Sequence, residues 1–134
     1  MQSIVKTTHA PGAIGPYSQA VTVPIGDGKK MIFCSGQIAL DPKSGEMVGN
    51  AHPYDIEAQT TQVMSNLAAV LEAAGARFKY VVKTTIFLTS LDDFTKVNAV
   101  YGASFPNDPP ARATVQVSRL PRDGKVEIDM VAVV

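Results

Sequence analysis

The chain has 134 residues, 46% of them hydrophobic and 18% charged, enough apolar mass for one core in a single domain spanning residues 1–134. Twelve Lys and Arg balance twelve Asp and Glu, so the charge gives no footing on a phosphate backbone and no nucleic-acid partner is expected. No apolar run nears the roughly 18 residues that cross a membrane, MQSIVKTTHAPG lacks a secretory pattern, and the lone Cys34 cannot form an internal disulfide. The expectation is a soluble, cytoplasmic protein with no membrane partner.

Residues 3–8 and 19–23 read as short strands around the Gly/Pro loop APGAIGPYS. IGDGKK is a turn, MIFCSGQIAL a strand interrupted at Ser35–Gly36, and DPKSGEMVG another turn. Then the period changes. Ile56, Thr60, Val63, Leu67, Val70, Leu71 and Ala74 recur at helical spacing, and Gly75 stands where that helix stops. Asp55 and Glu57 suit the positive end of its dipole. Tyr80–Thr89 is β-branched and strand-like. Ser90 and Asp93 have capping-box spacing and open a second helix, striped by Phe94, Val97, Tyr101 and Phe105. The three prolines of FPNDPPA end it. Two strands follow, near 112–118 and 125–133.

The order β-β-β-α-β-α-β-β, with one apolar stripe per helix, predicts an α+β domain: a roughly six-stranded sheet with two helices on one face. On the last strand Val126, Ile128, Met130 and Ala132 point one way, and Glu127, Asp129, Val131 and Val133 the other. On the strand before it, Arg112, Thr114, Gln116 and Ser118 oppose Ala113, Val115 and Val117. Both faces carry apolar residues while helices can bury only one, which predicts a homo-oligomer.

Little of the sequence suggests metal, cofactor or covalent chemistry. His9 and His52 are not in a ligand-spaced pattern, and neither CxxC, HExxH, GxGxxG nor a P-loop occurs. Ser35–Gly36 is no nucleophile elbow, neither histidine is an obvious base for Ser35 or Cys34, and Cys34 reads as a small buried hydrophobe. Arg112 stands out more. Its rigid fork matches a carboxylate, and the preceding prolines fix the backbone that presents it; the plainer alternative is an inter-strand or inter-subunit ion pair with Glu127 or Asp129. Glu127, a mid-strand carboxylate, could orient or deprotonate a water, or simply face solvent. If SRLPRDGK closed a tight hairpin, Arg112 would pair near Ala132, beyond contact with Glu127 at ~3.3 Å per residue. The two converge only if their strands are not hairpin neighbours, or if another chain completes the site. Tyr17, in the GPY loop, and Asn98, one turn past Phe94, read singly as a loop anchor and a helix-face amide.

APGAIGPYSQA, SGQIALDPKSGE, the AAG after the first helix, VVKTTIFL, DDFTKVNAVY and PAR…LP…VEI, in this order and spacing, resemble the reactive-intermediate deaminase (RidA/YjgF) family over nearly the whole chain. The resemblance implies a chorismate-mutase-like α+β fold with a mixed sheet, assembled as a homotrimer with clefts between subunits. It implies hydrolysis of small 2-imino acids to 2-keto acids and ammonia without a cofactor. By it, Arg112 clamps the substrate carboxylate and Glu127 positions the attacking water. Tyr17, Ser35, Gly36, Phe94 and Asn98 would line the same cleft, some of them from the neighbouring chain. Thr114 stands where many relatives have a cysteine, and its backbone carbonyl would keep the role given to that position. FPNDPP is shorter than in some members. The family also carries two alternatives: a ribonuclease or translation-inhibiting activity, and a trimer that captures small carboxylates or acts as a chaperone without turnover.

Overall fold

The computed structural model describes residues 1–134. Six strands form one sheet: β1 (Ser3–Val5), β2 (Ala20–Gly26), β3 (Lys29–Gln37), β4 (Val81–Leu88), β5 (Ala111–Gln116) and β6 (Val126–Val133). Helix α1 (Ile56–Ala73) joins β3 to β4, and α2 (Phe94–Gly102) joins β4 to β5. The spatial order is β1-β2-β3-β6-β4-β5, antiparallel throughout except for the parallel pair β4–β5. The sheet is therefore mixed, as expected. Its first hairpin turns on Asp27–Gly28, both at positive φ, the two-residue turn that an Asp-Gly pair favours.

Two crossovers set the topology. β3 and β4 run parallel with a gap between them, and the chain's last strand fills it. β6 is therefore central, and its burial alternates residue by residue, with Val126, Ile128, Met130 and Ala132 inward. They pack with Ile32, Ile86 and Leu88 against Val63, Leu67, Val70 and Leu71 of α1 and Val97 of α2. Burying each such side chain contributes about 1.5–3 kcal/mol.

Some local expectations shift. The first strand ends at Val5 because the backbone N–H of Thr7 donates to the Gln19 side chain (2.7 Å) instead of continuing the ladder. The third strand starts earlier, at Lys29, and ends at Gln37, so Ile38–Leu40 lie outside it. Ser90 caps a 3-10 turn (Leu91–Asp93) ahead of α2, accepting from the Asp92 N–H at 3.2 Å. Asp93 does not reach back to complete a capping box; it accepts from the Tyr54 hydroxyl at 2.6 Å. Phe105 lies beyond the end of α2 yet is buried against Tyr101 and Phe78. Asp55 does cap α1, accepting from the Ala58 N–H at 2.9 Å.

Only one face of the sheet is covered by helices. On the other, register places Phe33 beside Val21 and Val131, and Met31 beside Val23 and Val133. Phe33 is 43% exposed and Val115 41%, so apolar side chains of this face meet solvent in a single chain.

Candidate functional site

The strand interruption at Ser35–Gly36 is a β-bulge. From Cys34 to Gln37 β3 takes three steps, while its partner takes two, from Met130 to Ile128. The extra residue lifts Ser35 out of the ladder. Its backbone N–H donates to the carbonyl of Gln19 (3.0 Å) and its hydroxyl to that of Ser18 (2.6 Å). Buried Gln19 also donates to the carbonyls of Thr7 (3.0 Å), Ala10 (3.3 Å) and Pro11 (2.8 Å). The Gly/Pro loop is thus pinned at both ends while its middle projects. There the Tyr17 hydroxyl accepts from the Ile14 N–H at 3.3 Å.

Between this loop and the bulge lies a cleft of about 350 Å³, lined by Gly12, Ile14, Tyr17, Ser35, Gly36 and Glu127 among others. The Glu127 carboxylate occupies the space over Gly36 where a side chain would begin, and its Cδ is 2.9 Å from an ideal Cβ there. Glycine at 36 leaves room for the Glu127 carboxylate in this position, and a side chain there would displace it. Burial raises the Glu127 pKa above the ordinary carboxylate value, and the charge of Asp129 on the same strand face adds to it. Asp129 is itself raised by burial, opposed by hydrogen bonds from Thr85 and the charge of Lys83.

A second cluster forms at the β5 edge of the sheet. The Arg112 guanidinium lies 5.6 Å from the ring centroid of Phe94 and 5.1 Å from that of Tyr101. Such stacking holds the charge over aromatic faces. The Tyr101 hydroxyl is 2.7 Å from Thr84 Oγ1, and Thr84 pairs with Arg112 in the β4–β5 register. Burial raises the Tyr101 pKa, with Thr84 and Arg112 pulling the other way. Phe94, Asn98 and Tyr101 are spaced i, i+4, i+7 and share a helix face. Thr114, two residues past Arg112 on the same strand face, has a buried Oγ1 with no hydrogen-bond partner.

The eight residues singled out by sequence therefore fall into two groups. Tyr17, Ser35, Gly36 and Glu127 meet at the bulge; Arg112, Thr114, Phe94 and Asn98 belong to the β5–α2 edge. Within one chain the groups do not meet. β5 and β6 are not hairpin neighbours, since β4 lies between them. Nor does Arg112 pair with Glu127 or Asp129 inside the chain, whose salt bridge joins Arg119 to Asp123 at 2.9 Å. Sequence reasoning left Tyr101 as core stripe only; its spacing of seven from Phe94 is the signal that puts it under Arg112. Ile14 and Pro121, which also line the cleft, carried no such signal.

A family model described as Endoribonuclease L-PSP matches residues 7–134. Protein DfrA of Myxococcus xanthus is 58% identical over 129 residues, covering 96% of this chain and 93% of that protein. The 2-iminobutanoate/2-iminopropanoate deaminase of Mus musculus is 44% identical over 133 residues, covering 99% and 92%. Among solved structures, RidA from the Antarctic bacterium Psychrobacter superposes with a TM-score of 0.87 at 39% identity, covering 98% of this chain and 99% of that one. Escherichia coli TdcF with bound serine gives 0.83 at 39% identity, covering 98% of both chains. The chain belongs to the endoribonuclease L-PSP family, the RidA/YjgF group of reactive-intermediate deaminases.

Proposed function

We propose that this protein hydrolyses small 2-imino acids, such as 2-iminopropanoate and 2-iminobutanoate, to 2-keto acids and ammonia. The observation that carries the reading is Arg112: a guanidinium held on two aromatic rings with no carboxylate partner in its own chain. A fork so fixed is suited to an external carboxylate. The deaminase name of the mouse relative and the serine bound to TdcF, itself a small carboxylate, support the same class of ligand.

Because Arg112 and Glu127 sit on opposite faces, one substrate touching both requires two chains. We infer a homotrimer in which the exposed apolar face of each sheet meets the next copy, so that each cleft takes Glu127 from one chain and Arg112 from its neighbour.

The chemistry needs little more than orientation. A protonated imine carbon is already electrophilic, and the Arg112 clamp fixes it relative to a water beside Glu127. With its pKa raised by burial, the Glu127 carboxylate is a better base than an exposed one and accepts a proton from that water as the oxygen bonds to carbon. The carbinolamine nitrogen takes the proton back, the C–N bond breaks, ammonia leaves, and the hydroxyl proton is lost as the carbonyl forms. Water supplies the oxygen and the balance closes without a redox partner.

The test couples a threonine or serine dehydratase to this protein and follows keto acid and ammonia. Acceleration over the spontaneous rate is expected; no acceleration would reject the assignment. Sedimentation at micromolar concentration should give three copies, and a monomer would reject the shared cleft. RNA incubated with the same preparation should stay intact, because nothing in the net charge favours it.

A further inference from the structure

The buried side of α1 is apolar except at Gln59, Thr60 and Asn66. Thr60 is satisfied within the helix, donating to the Ile56 carbonyl at 2.7 Å. The other two reach off the helix. Asn66, 1% exposed, donates to the carbonyls of Ile38 (3.2 Å) and Leu40 (2.9 Å) and accepts from Gln62 at 2.8 Å. Gln59, fully buried, accepts from the backbone N–H of Lys125 at 2.9 Å, while its amide nitrogen lies 3.4 Å from Asn50 Oδ1.

Those backbone groups bracket the Glu127 cleft. Ile38 and Leu40 form part of its wall, immediately after the bulge, and Lys125 is two residues before Glu127. On its β3 side the sheet ladder holds this region poorly, although β4 pairs with β6 as far as Val126. Between bulge and strand end, β3 and β6 share only the pair Gln37–Ile128, and Ile38–Leu40 have left the sheet. Helix α1 lines none of the cleft, yet Gln59 and Asn66, seven residues apart, span about 10.5 Å of one rigid helix side.

We propose that Gln59 and Asn66 are positioning residues: through the backbone of Lys125 and of Ile38–Leu40, α1 fixes how the Ser35–Gly36 bulge meets Glu127. The proposal deepens the hydrolytic reading and rests on it for its effect on turnover. A buried amide costs free energy unless it is hydrogen-bonded, and an aliphatic side chain there would bury more apolar area. What the amides add is a defined place for Ile38–Leu40, which have left the sheet, relative to the start of β6, which β4 aligns on its other side only.

The test uses the full chain with Asn66→Leu, Gln59→Leu and, as a control, Gln62→Ala, which removes the third bond of Asn66 and neither backbone clamp. Two readouts are taken: turnover against pyruvate affinity, and the Glu127 carboxyl titration followed by carbon-detected NMR. The other ionisable neighbours are Tyr17 in the cleft and Asp129 on the strand face. Asn66→Leu should lower kcat about 10-fold or more with pyruvate affinity within about twofold, since Arg112 is elsewhere. The Glu127 titration should fall back toward an ordinary carboxylate as the cleft floor loosens and admits water. Gln62→Ala should change neither readout. A folded Asn66→Leu with unchanged kcat and unchanged Glu127 titration would overturn the proposal. If that variant does not fold, Gln59→Leu gives the same readouts from the other clamp; failure of both to fold would assign the amides to stability and also overturn it. Absence of turnover in the wild-type protein would reject the hydrolytic reading, while the NMR titration would still decide whether the amides set the Glu127 environment.

Discussion

Arg112 and Glu127 face opposite sides of one sheet. Arg112 lies in the row Arg112–Thr84–Met130, on the helix-covered side, and Glu127 in the row Val115–Phe87–Glu127, on the open side. If both act on one substrate, they act from different chains. Arg112→Ala and Glu127→Ala should each be inactive alone. Refolded together, they should regain activity in about a quarter of clefts, the fraction joining an intact Arg112 to an intact Glu127. No recovery in mixed, properly assembled samples would mean the site lies within one chain.

Gly36→Ala tests the close approach of Glu127. A Cβ at 36 would collide with the carboxylate, so the side chain must move. Because the colliding atoms are the end of a flexible side chain that can turn away, stability should change little. Turnover should fall about 100-fold, because a misplaced carboxylate cannot hold the water. Thermal unfolding and steady-state kinetics measure the two effects separately.

Arg112→Lys keeps the charge and loses the fork and its stacking on Phe94 and Tyr101. Product-like carboxylates such as pyruvate should bind more weakly by about 1.5–3 kcal/mol, read by calorimetry. Wild-type affinity would mark Arg112 as a structural residue.

Glu127→Gln should reduce turnover more than pyruvate affinity, because shape survives and the base does not. It should also change the pH dependence of stability. The native pKa of Glu127 is raised above its ordinary 4.5, so between the unfolded and folded values the native state binds more protons. Stability then falls as pH rises through that window. Glu127→Gln should match the wild type in acid and be the more stable protein near neutrality, as a series of melting curves would record. The reverse order would mean that the native protein stabilises the charged carboxylate.

Cys34→Ala should retain full turnover. Burial, followed by the charge of Asp129, pushes the thiol pKa to about 12, so no thiolate is available near neutrality. The loss of a small buried side chain should cost about 1 kcal/mol. Inactivity in a folded, assembled variant would revive covalent catalysis.

Residue spacing alone determined which side chains share a face. Period two separates Glu127 from Ile128 on the last strand, and period 3.6 places Phe94 and Asn98 on one side of α2. It also marked where the third strand is interrupted, because Ser35–Gly36 breaks an apolar run. Sequence could not decide which strands are neighbours, since pairing depends on crossovers between distant segments. β6 enters the gap between β3 and β4, so β5 is displaced to the edge and a hairpin near residue 120 does not form. That non-local choice puts the guanidinium and the carboxylate on separate faces. It also lays Glu127 against Gly36 across the β3–β6 pair, where burial raises its pKa: local pattern sets each side chain's direction, and only tertiary pairing sets its company.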